Sequence, residues 1–251
     1  MIKTRPPQGA QAALRAIRLL KLFTSERPEM SLAEISRASG LNKTTTHRLL
    51  RALQSESLID RNPATTAYSL GAGLMALGVQ ALASSDLRRR VRPVLRLLAR
   101  ETGETATLEV PFEDSMLILD EVAGNHVVGS AGNVGTRWPI HATSTGKAWL
   151  AFDESGQERL MDVLKPLTGT TLTDPAVLQL QLLEIRRRGY AVTIDEVEDG
   201  FTAVATIIRG VLGDVQGALS VGGPTQRLNV ARRAELGVKL CRAAQRLSPE
   251  F

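Results

Sequence analysis

Between Ser31 and Glu56 two short helical segments are separated by only three residues, Gly40, Leu41 and Asn42, and this spacing restricts the fold more than any other feature. The first segment, SLAEISRASG, opens on Ser31 with Glu34 three residues later, the signature of a reciprocal cap. Leu32 and Ile35 share one face of it, and Gly40 suits the left-handed conformation that closes a helix. The second, NKTTTHRLLRALQSE, starts from Asn42 as N-cap and carries Leu49, Leu50 and Leu53 as an apolar stripe. Its first turns present Lys43, Thr44, Thr45, His47 and Arg48 instead. Two helices on a tight glycine turn make a helix-turn-helix. A polar, cationic front on an apolar rear is what the second helix needs if its start enters a DNA major groove while its end holds a bundle. LIDRNPATTAYSLG then reads as a hairpin with Asn62-Pro63 in the turn and Tyr68 and Leu70 on the return strand. Such a hairpin is a wing, and Arg61 near its tip is placed to reach phosphate or the minor groove.

Charge follows the same division. Residues 1–100 hold 17 lysines and arginines against 6 acidic residues, a net of +11, whereas residues 101–251 hold 14 against 20, a net of −6. A basic end on an acidic body points to a polyanionic partner for the basic end. Ahead of the motif, AQAALRAIRLLKLF sets Ala13, Ile17, Leu20 and Phe23 at helical spacing, in a helix ended by Arg27-Pro28. Behind it, AGLMALGVQALASS is apolar around much of its circumference and reads as a linker helix whose buried face a second subunit could cover. DLRRRVRPVLRLLARETG continues as a helix capped by Asp86, with Val94, Leu97 and Leu98 as its stripe and Pro93 kinking it or starting a new one. Arg88, Arg89 and Arg90 read as a solvated face of that helix.

The remainder alternates strands and helices. TATLEV reads as a half-buried strand, SMLILDEV as a more buried one, and AVATII and GALSV as two more. STGKAWLAFD, GQERLMDVL and PAVLQLQLLEIRRRG read as helices, the last closing on Gly189. Strands in runs with a few helices between them indicate an α+β domain. Nothing supports catalysis, and a non-enzyme is expected: His47, His126 and His141 are too scattered for a metal cluster, and Cys241 stands alone. HATSTGKA fails the phosphate-loop pattern at His141 and Ala148. No metal or cofactor is expected. Nor is a membrane partner, since no run approaches the roughly 18 apolar residues of a membrane span. MIKTRPPQG lacks the apolar core of a signal peptide, so a cytoplasmic location is expected.

Several ordered strings resemble the IclR family of bacterial regulators, from about Ala12 to Asn229. They are SLAEISRASGLNKTTTHRLLRALQSESLIDRNPATTAYSLG, PIHATSTGKAWLA, LTGTTLTDPAVL, IRRRGYAVTIDEVEDG and GALSVGGP. The resemblance implies a winged helix-turn-helix over 8–71, a linker helix over 72–90 and a GAF-like effector-binding domain over 91–251. It implies double-stranded operator DNA, a small-molecule effector and a homo-oligomer, either a dimer or a dimer of dimers. The implied DNA contacts are Ser31, Lys43, Thr44, Thr45, His47, Arg48, Arg51 and Arg61. The implied effector pocket lies behind Thr143, Ser144, Thr145, Gly146 and Lys147, with Asp195, Glu196 and Ser220 at other pocket positions. Thr193, Ala203 and Gly222 stand where members that bind small oxoacids tend to have an acidic residue, a cysteine and a serine. A less polar, roomier pocket is therefore expected, taking an organic or aromatic acid larger than two or three carbons.

Overall fold

Both caps expected beside the Gly40–Asn42 turn form. The Ser31 hydroxyl accepts from the N–H of Glu34 at 3.3 Å, and the Glu34 carboxylate accepts from the N–H of Ser31 at 2.8 Å. Gly40 ends the helix at φ 69°, and Asn42 accepts from the N–H of Thr45 at 2.8 Å. The computed structural model describes residues 9–24, 26–125, 133–153 and 164–247. His126 lies outside them, as does the helix expected over GQERLMDVL apart from Leu164.

The chain divides into two units, 1–84 and 85–251. In the first, α1 (Gln11–Leu20), β1 (Glu29–Met30), α2 (Leu32–Ser39), α3 (Lys43–Ser55), β2 (Ile59–Arg61), β3 (Tyr68–Leu70) and α4 (Ala72–Ser84) follow in order. The strands form an antiparallel sheet in the order β1-β3-β2. Leu19, Phe23, Met30, Ile35, Leu49, Leu50, Leu53, Ile59 and Tyr68 make its core. This is a winged helix-turn-helix, with two departures from expectation in α1. Leu19 is fully buried whereas Ile17 is 51% exposed, so the buried stripe is rotated from the expected one. The helix also stops at Leu20, and the Thr24–Arg27 bridge follows as a separate turn.

In the second unit, α5 (Asp86–Thr102) leads into β4 (Thr105–Phe112), β5 (Ser115–Val122), β6 (Arg137–Pro139) and α6 (Ser144–Phe152). Then come α7 (Pro175–Arg188), β7 (Ala191–Ile194), β8 (Phe201–Arg209), β9 (Val215–Pro224) and α8 (Val230–Leu247). The strands form one antiparallel sheet in the order β6-β5-β4-β9-β8-β7. Val91, Leu95 and Leu98 of α5 and Leu236 and Leu240 of α8 pack on one face with Leu108, Val204 and Leu219. Ala148 and Leu150 of α6 and Leu178, Leu182 and Ile185 of α7 pack on the other with Ala205, Ile207 and Ala218.

Covering both faces overturns two strand readings. Thr105 to Glu109 of β4 are all buried, whereas β5 alternates. A β-bulge explains part of this: Leu108 pairs with Asp120 but Glu109 pairs with Ile118, leaving Leu119 as an extra residue. The bulge changes which face each β5 side chain meets. Ile118 and Glu121, three apart, therefore share one face, while Asp120 turns to Arg88 and Arg92 of α5.

The helix break expected at Asp86 is present, with its cap one residue earlier, so residues 72–90 belong to two helices. α4 ends at Ser84, and Ser85, not Asp86, caps α5 by accepting from the N–H of Arg88. Pro93 sits inside α5. Arg88, Arg89 and Arg90 are not a merely solvated face. Arg88 pairs with Asp120 and Arg89 with Asp86, and Arg90 bonds Gln216 and the carbonyl of Leu247.

Candidate DNA interface and effector cavity

The front of α3 is held rigidly and left chemically open. Leu49, Leu50 and Leu53 fix its rear in the core, and the Asn42 cap fixes its start. Lys43, Thr44, His47, Arg48 and Arg51 are exposed and Thr45 is half-buried. Among the described residues, no side-chain hydrogen bond or ion pair within the chain engages Lys43, His47, Arg48 or Arg51, in contrast to Arg88–Arg90. Thr46, one position on, is buried and bonds back to the carbonyl of Asn42. Ser31 belongs chemically to its cap, its hydroxyl donating to Glu34 at 2.6 Å. In the wing, Asn62 accepts from the N–H groups of Ala64 and Thr65 and so fixes the turn. Arg61 lies over the Tyr68 ring at 5.7 Å, which braces the guanidinium beside the wing's turn.

In the second unit, the start of α6 faces the sheet across a cavity of about 60 Å³. The register lays out its floor. Thr105, Gly222, Ala203 and Thr193 form one row across β4, β9, β8 and β7, and Glu121, Thr107 and Ser220 form the next. Glu109 and Ile118 extend it, while Thr143, Ser144, Thr145, Trp138, Val197 and Phe201 close it. Thr143 caps α6 by accepting from the N–H of Gly146 at 3.0 Å. Gly146 stands so close to the 140–141 linkage that a Cβ there would lie 1.9 Å from the carbonyl oxygen of Ile140. Only glycine allows that approach.

Of the sequence-derived pocket residues, the cavity brings together Thr143, Ser144, Thr145, Thr193, Ala203, Ser220 and Gly222. It does not include Gly146, Asp195 or Glu196. Gly146 is spent on the contact with Ile140. Asp195, at φ 58°, accepts from the Thr225 hydroxyl and the N–H of Gly200. Glu196 accepts from the ammonium of Lys147 at 2.5 and 2.6 Å. Lys147 is fully buried, and that burial pushes its pKa down against the opposing pull of Glu196.

The expectation of a roomier pocket is not met. The position where a Cβ of residue 222 would stand lies 2.6 Å from the tip of the Phe201 ring, so that ring fills the space. For scale, an apolar cavity of about 150 Å³ holds benzene. Sequence reasoning also missed both carboxylates. Glu109 is 6% exposed and accepts from the hydroxyls of Thr107 at 2.8 Å and Thr145 at 2.7 Å. Burial pushes its pKa up, the Thr145 and Thr107 hydroxyls partly oppose this, and Glu121 raises it further. The alternation of Thr105, Thr107 and Glu109 against Ala106 and Leu108 was the available signal, but it was assigned to solvent.

A helix-turn-helix unit joined to a unit whose cavity is lined by hydroxyl, carboxylate and apolar side chains defines a DNA-binding regulator with an effector-binding domain. Family models agree on both parts: the C-terminal domain of the bacterial transcriptional regulator IclR matches residues 79–249, and the IclR helix-turn-helix domain matches residues 12–63. The chain belongs to the IclR family of transcriptional regulators. It is 31% identical to the HTH-type transcriptional regulator XynR of Escherichia coli over 243 residues, 95% of this chain and 96% of that one. A putative IclR transcriptional regulator from Silicibacter sp. TM1040 superposes with a TM-score of 0.84 at 29% identity, covering 94% of each chain. An IclR homolog from Microbacterium hydrocarbonoxydans complexed with 4-hydroxybenzoate superposes with a TM-score of 0.78 at 26% identity, covering 94% of this chain and 98% of that one. Among the described residues, no group of three or more His, Cys, Asp or Glu could hold a metal ion, and no helix is long and apolar enough to cross a membrane.

The buried Lys147–Glu196 pair gives a first prediction. Glu196→Leu strands a buried cation and should cost about 3–5 kcal/mol in urea unfolding followed by tryptophan fluorescence. Trp138 and Trp149, the chain's two tryptophans, both report on this unit. Adding Lys147→Met to that variant should restore most of the loss, and a double variant no better than the single one would refute this account of the pair.

Proposed function

We propose that α3 enters the major groove of a double-stranded operator, and that a small organic acid in the α6 cavity alters operator affinity. The observation that carries this reading is the set of unengaged polar side chains on the capped front of α3. Lys43, Arg48 and Arg51 would meet phosphates, Thr44, Thr45 and His47 would approach bases, and Arg61 would act from the wing. Ser31 would contact phosphate at the start of α2 while keeping its capping bond. Phosphate contacts position a protein on DNA, whereas base-edge contacts specify sequence. The protein would act in the cytoplasm as a regulator rather than an enzyme.

For the effector, the N–H groups of Ser144 and Thr145 at the start of α6 suit a carboxylate or carbonyl oxygen. The 4-hydroxybenzoate complex of the Microbacterium relative supports an acid. A compact acid matches the cavity volume, and an aromatic acid would have to displace the Phe201 ring. Thr193, Ala203, Ser220 and Gly222 would form the floor beneath it. Asp195 and Glu196 would shape the pocket from behind, holding the loop that carries Val197.

Assembly would run through α4. No residue of α4 is buried, Met75, Leu77 and Val79 are 68%, 55% and 65% exposed, and the helix contains no charged residue. An apolar helix of this kind buries its surface in a second copy, setting two recognition helices on half-sites about 34–36 Å apart or a multiple of that.

Fluorescence polarisation on DNA upstream of the protein's own gene, across a salt series and with non-specific competitor, tests the DNA reading. Salt-dependent binding should survive competitor. Arg48→Ala should weaken all sequences similarly and lower the salt slope by about one. Binding abolished by competitor would contradict the reading. For the assembly, Val79→Glu should shift the protein to monomer in sedimentation velocity, and an unchanged oligomer would exclude α4 as the interface.

A further inference from the structure

The effector cavity has an unusual charge set for a site that takes an acid. Two carboxylates, Glu109 and Glu121, line it, and among the described residues no lysine, arginine or histidine does. The cation next to it in sequence, Lys147, is held by Glu196. The cavity also holds unspent hydrogen-bonding capacity. Ser144, Thr193 and Thr105 are 2%, 4% and 7% exposed, all three line the cavity, and none of their hydroxyls makes a hydrogen bond within the chain among the described residues. The remaining hydroxyls are committed: Thr107 and Thr145 to Glu109, Ser220 to Thr107, and Thr143 to the cap of α6.

An anion entering this space meets two carboxylates and only the partial positive charge of a helix start, about half an elementary charge. Of the two, Glu109 is the buried one, with the Thr107 and Thr145 hydroxyls as its hydrogen-bond partners, and burial of a carboxylate favours the form that holds a proton. Glu109 is the one built for that role. It lies on β4 beneath the start of α6, joined through Thr145 to the first turn of that helix. Resting on the effector reading above, we propose that an acid-type effector binds here as its anion together with one proton carried by Glu109, whose carboxyl then donates to the ligand. The proton comes from solvent and no covalent bond changes.

The groups around Glu109 agree with this assignment. From β5 it faces Glu121, from β4 Thr107, from α6 Thr145, and from β9 only Ser220 through Thr107. Beyond these, Lys147 of α6 is paired with Glu196, and Asp195 is satisfied by Thr225 and Gly200. Burial and Glu121 both push the Glu109 pKa up, in the direction that lowers the cost of supplying the proton.

Isothermal titration calorimetry between pH 5.5 and 8.5 on the full-length protein, with pyruvate, lactate, benzoate and 4-hydroxybenzoate as probes, tests the proposal. For an acid that binds, Kd should rise up to tenfold per pH unit above the pH at which Glu109 ionises in the free protein and stay flat below it. Titrations in two buffers of different ionisation enthalpy should show up to one proton taken up, needing no variant. Glu109→Gln, which carries a permanent donor in place of the protonated carboxyl, should keep the low-pH affinity and lose the pH dependence. Tight acid binding with no proton uptake at any pH would overturn the role of Glu109 and leave the effector reading intact. Binding of none of the four acids at any pH would overturn that reading, and this proposal with it.

Discussion

The packing of the start of α6 against the sheet governs the architecture of the effector-binding unit. Gly146 lies so near Ile140 that no side chain fits, so the helix start is set within a fraction of an ångström. One residue further, Lys147 runs into the interior and meets Glu196, tying α6 to the loop between β7 and β8. Thr145 reaches the other way, to Glu109 on β4. Three consecutive residues thus fix the helix to three different parts of the unit, and the cavity is the space their arrangement leaves. Desolvating the Lys147–Glu196 pair costs free energy that packed apolar residues would not require. In exchange the pair gives the loop one defined position, which a greasy contact would specify less sharply.

The fold was legible wherever local chemistry decides it. Ser31 with Glu34, Gly40 and Asn42 mark three helix boundaries, because capping depends on residues three or four apart. The wing was legible for the same reason. What escaped depends on partners far away in sequence. α1 was rotated from its expected face because Leu19 and Ile17 differ in burial only through what packs on them. The polar row of β4 suggested solvent exposure, and only the α6 and α7 layer, with the bulge at Leu119, turns that row into a cavity wall. The C-terminal α8 went unrecognised, although it covers the sheet's opposite face. Phe201 filling the space above Gly222 could not be read from an absent side chain at 222.

The two units carry complementary chemistry. On α3, cationic side chains are left without partners inside the chain, an arrangement that favours an external polyanion. In the effector-binding unit several cations are paired instead: Arg88 and Arg92 with Asp120, Arg227 with Glu104, Lys239 with Glu101. Charge that stabilises a fold is paired within it, while charge that binds a partner is held in reserve. This contrast separates the arginine run of α5 from the arginines of α3, a distinction composition alone does not make.

The central claim is that the cavity and the α3 surface are coupled sites of one regulator. Coupling between two sites is reciprocal in equilibrium binding, whatever path it takes. The most direct measurement is the effector's Kd by calorimetry on the free protein and on the protein saturated with operator DNA at the same pH and salt. The account predicts two different values, separated by about 5- to 150-fold and equal to the effector's own effect on operator affinity. Identical values would contradict it, leaving a DNA-binding protein with a ligand cavity that does not control it.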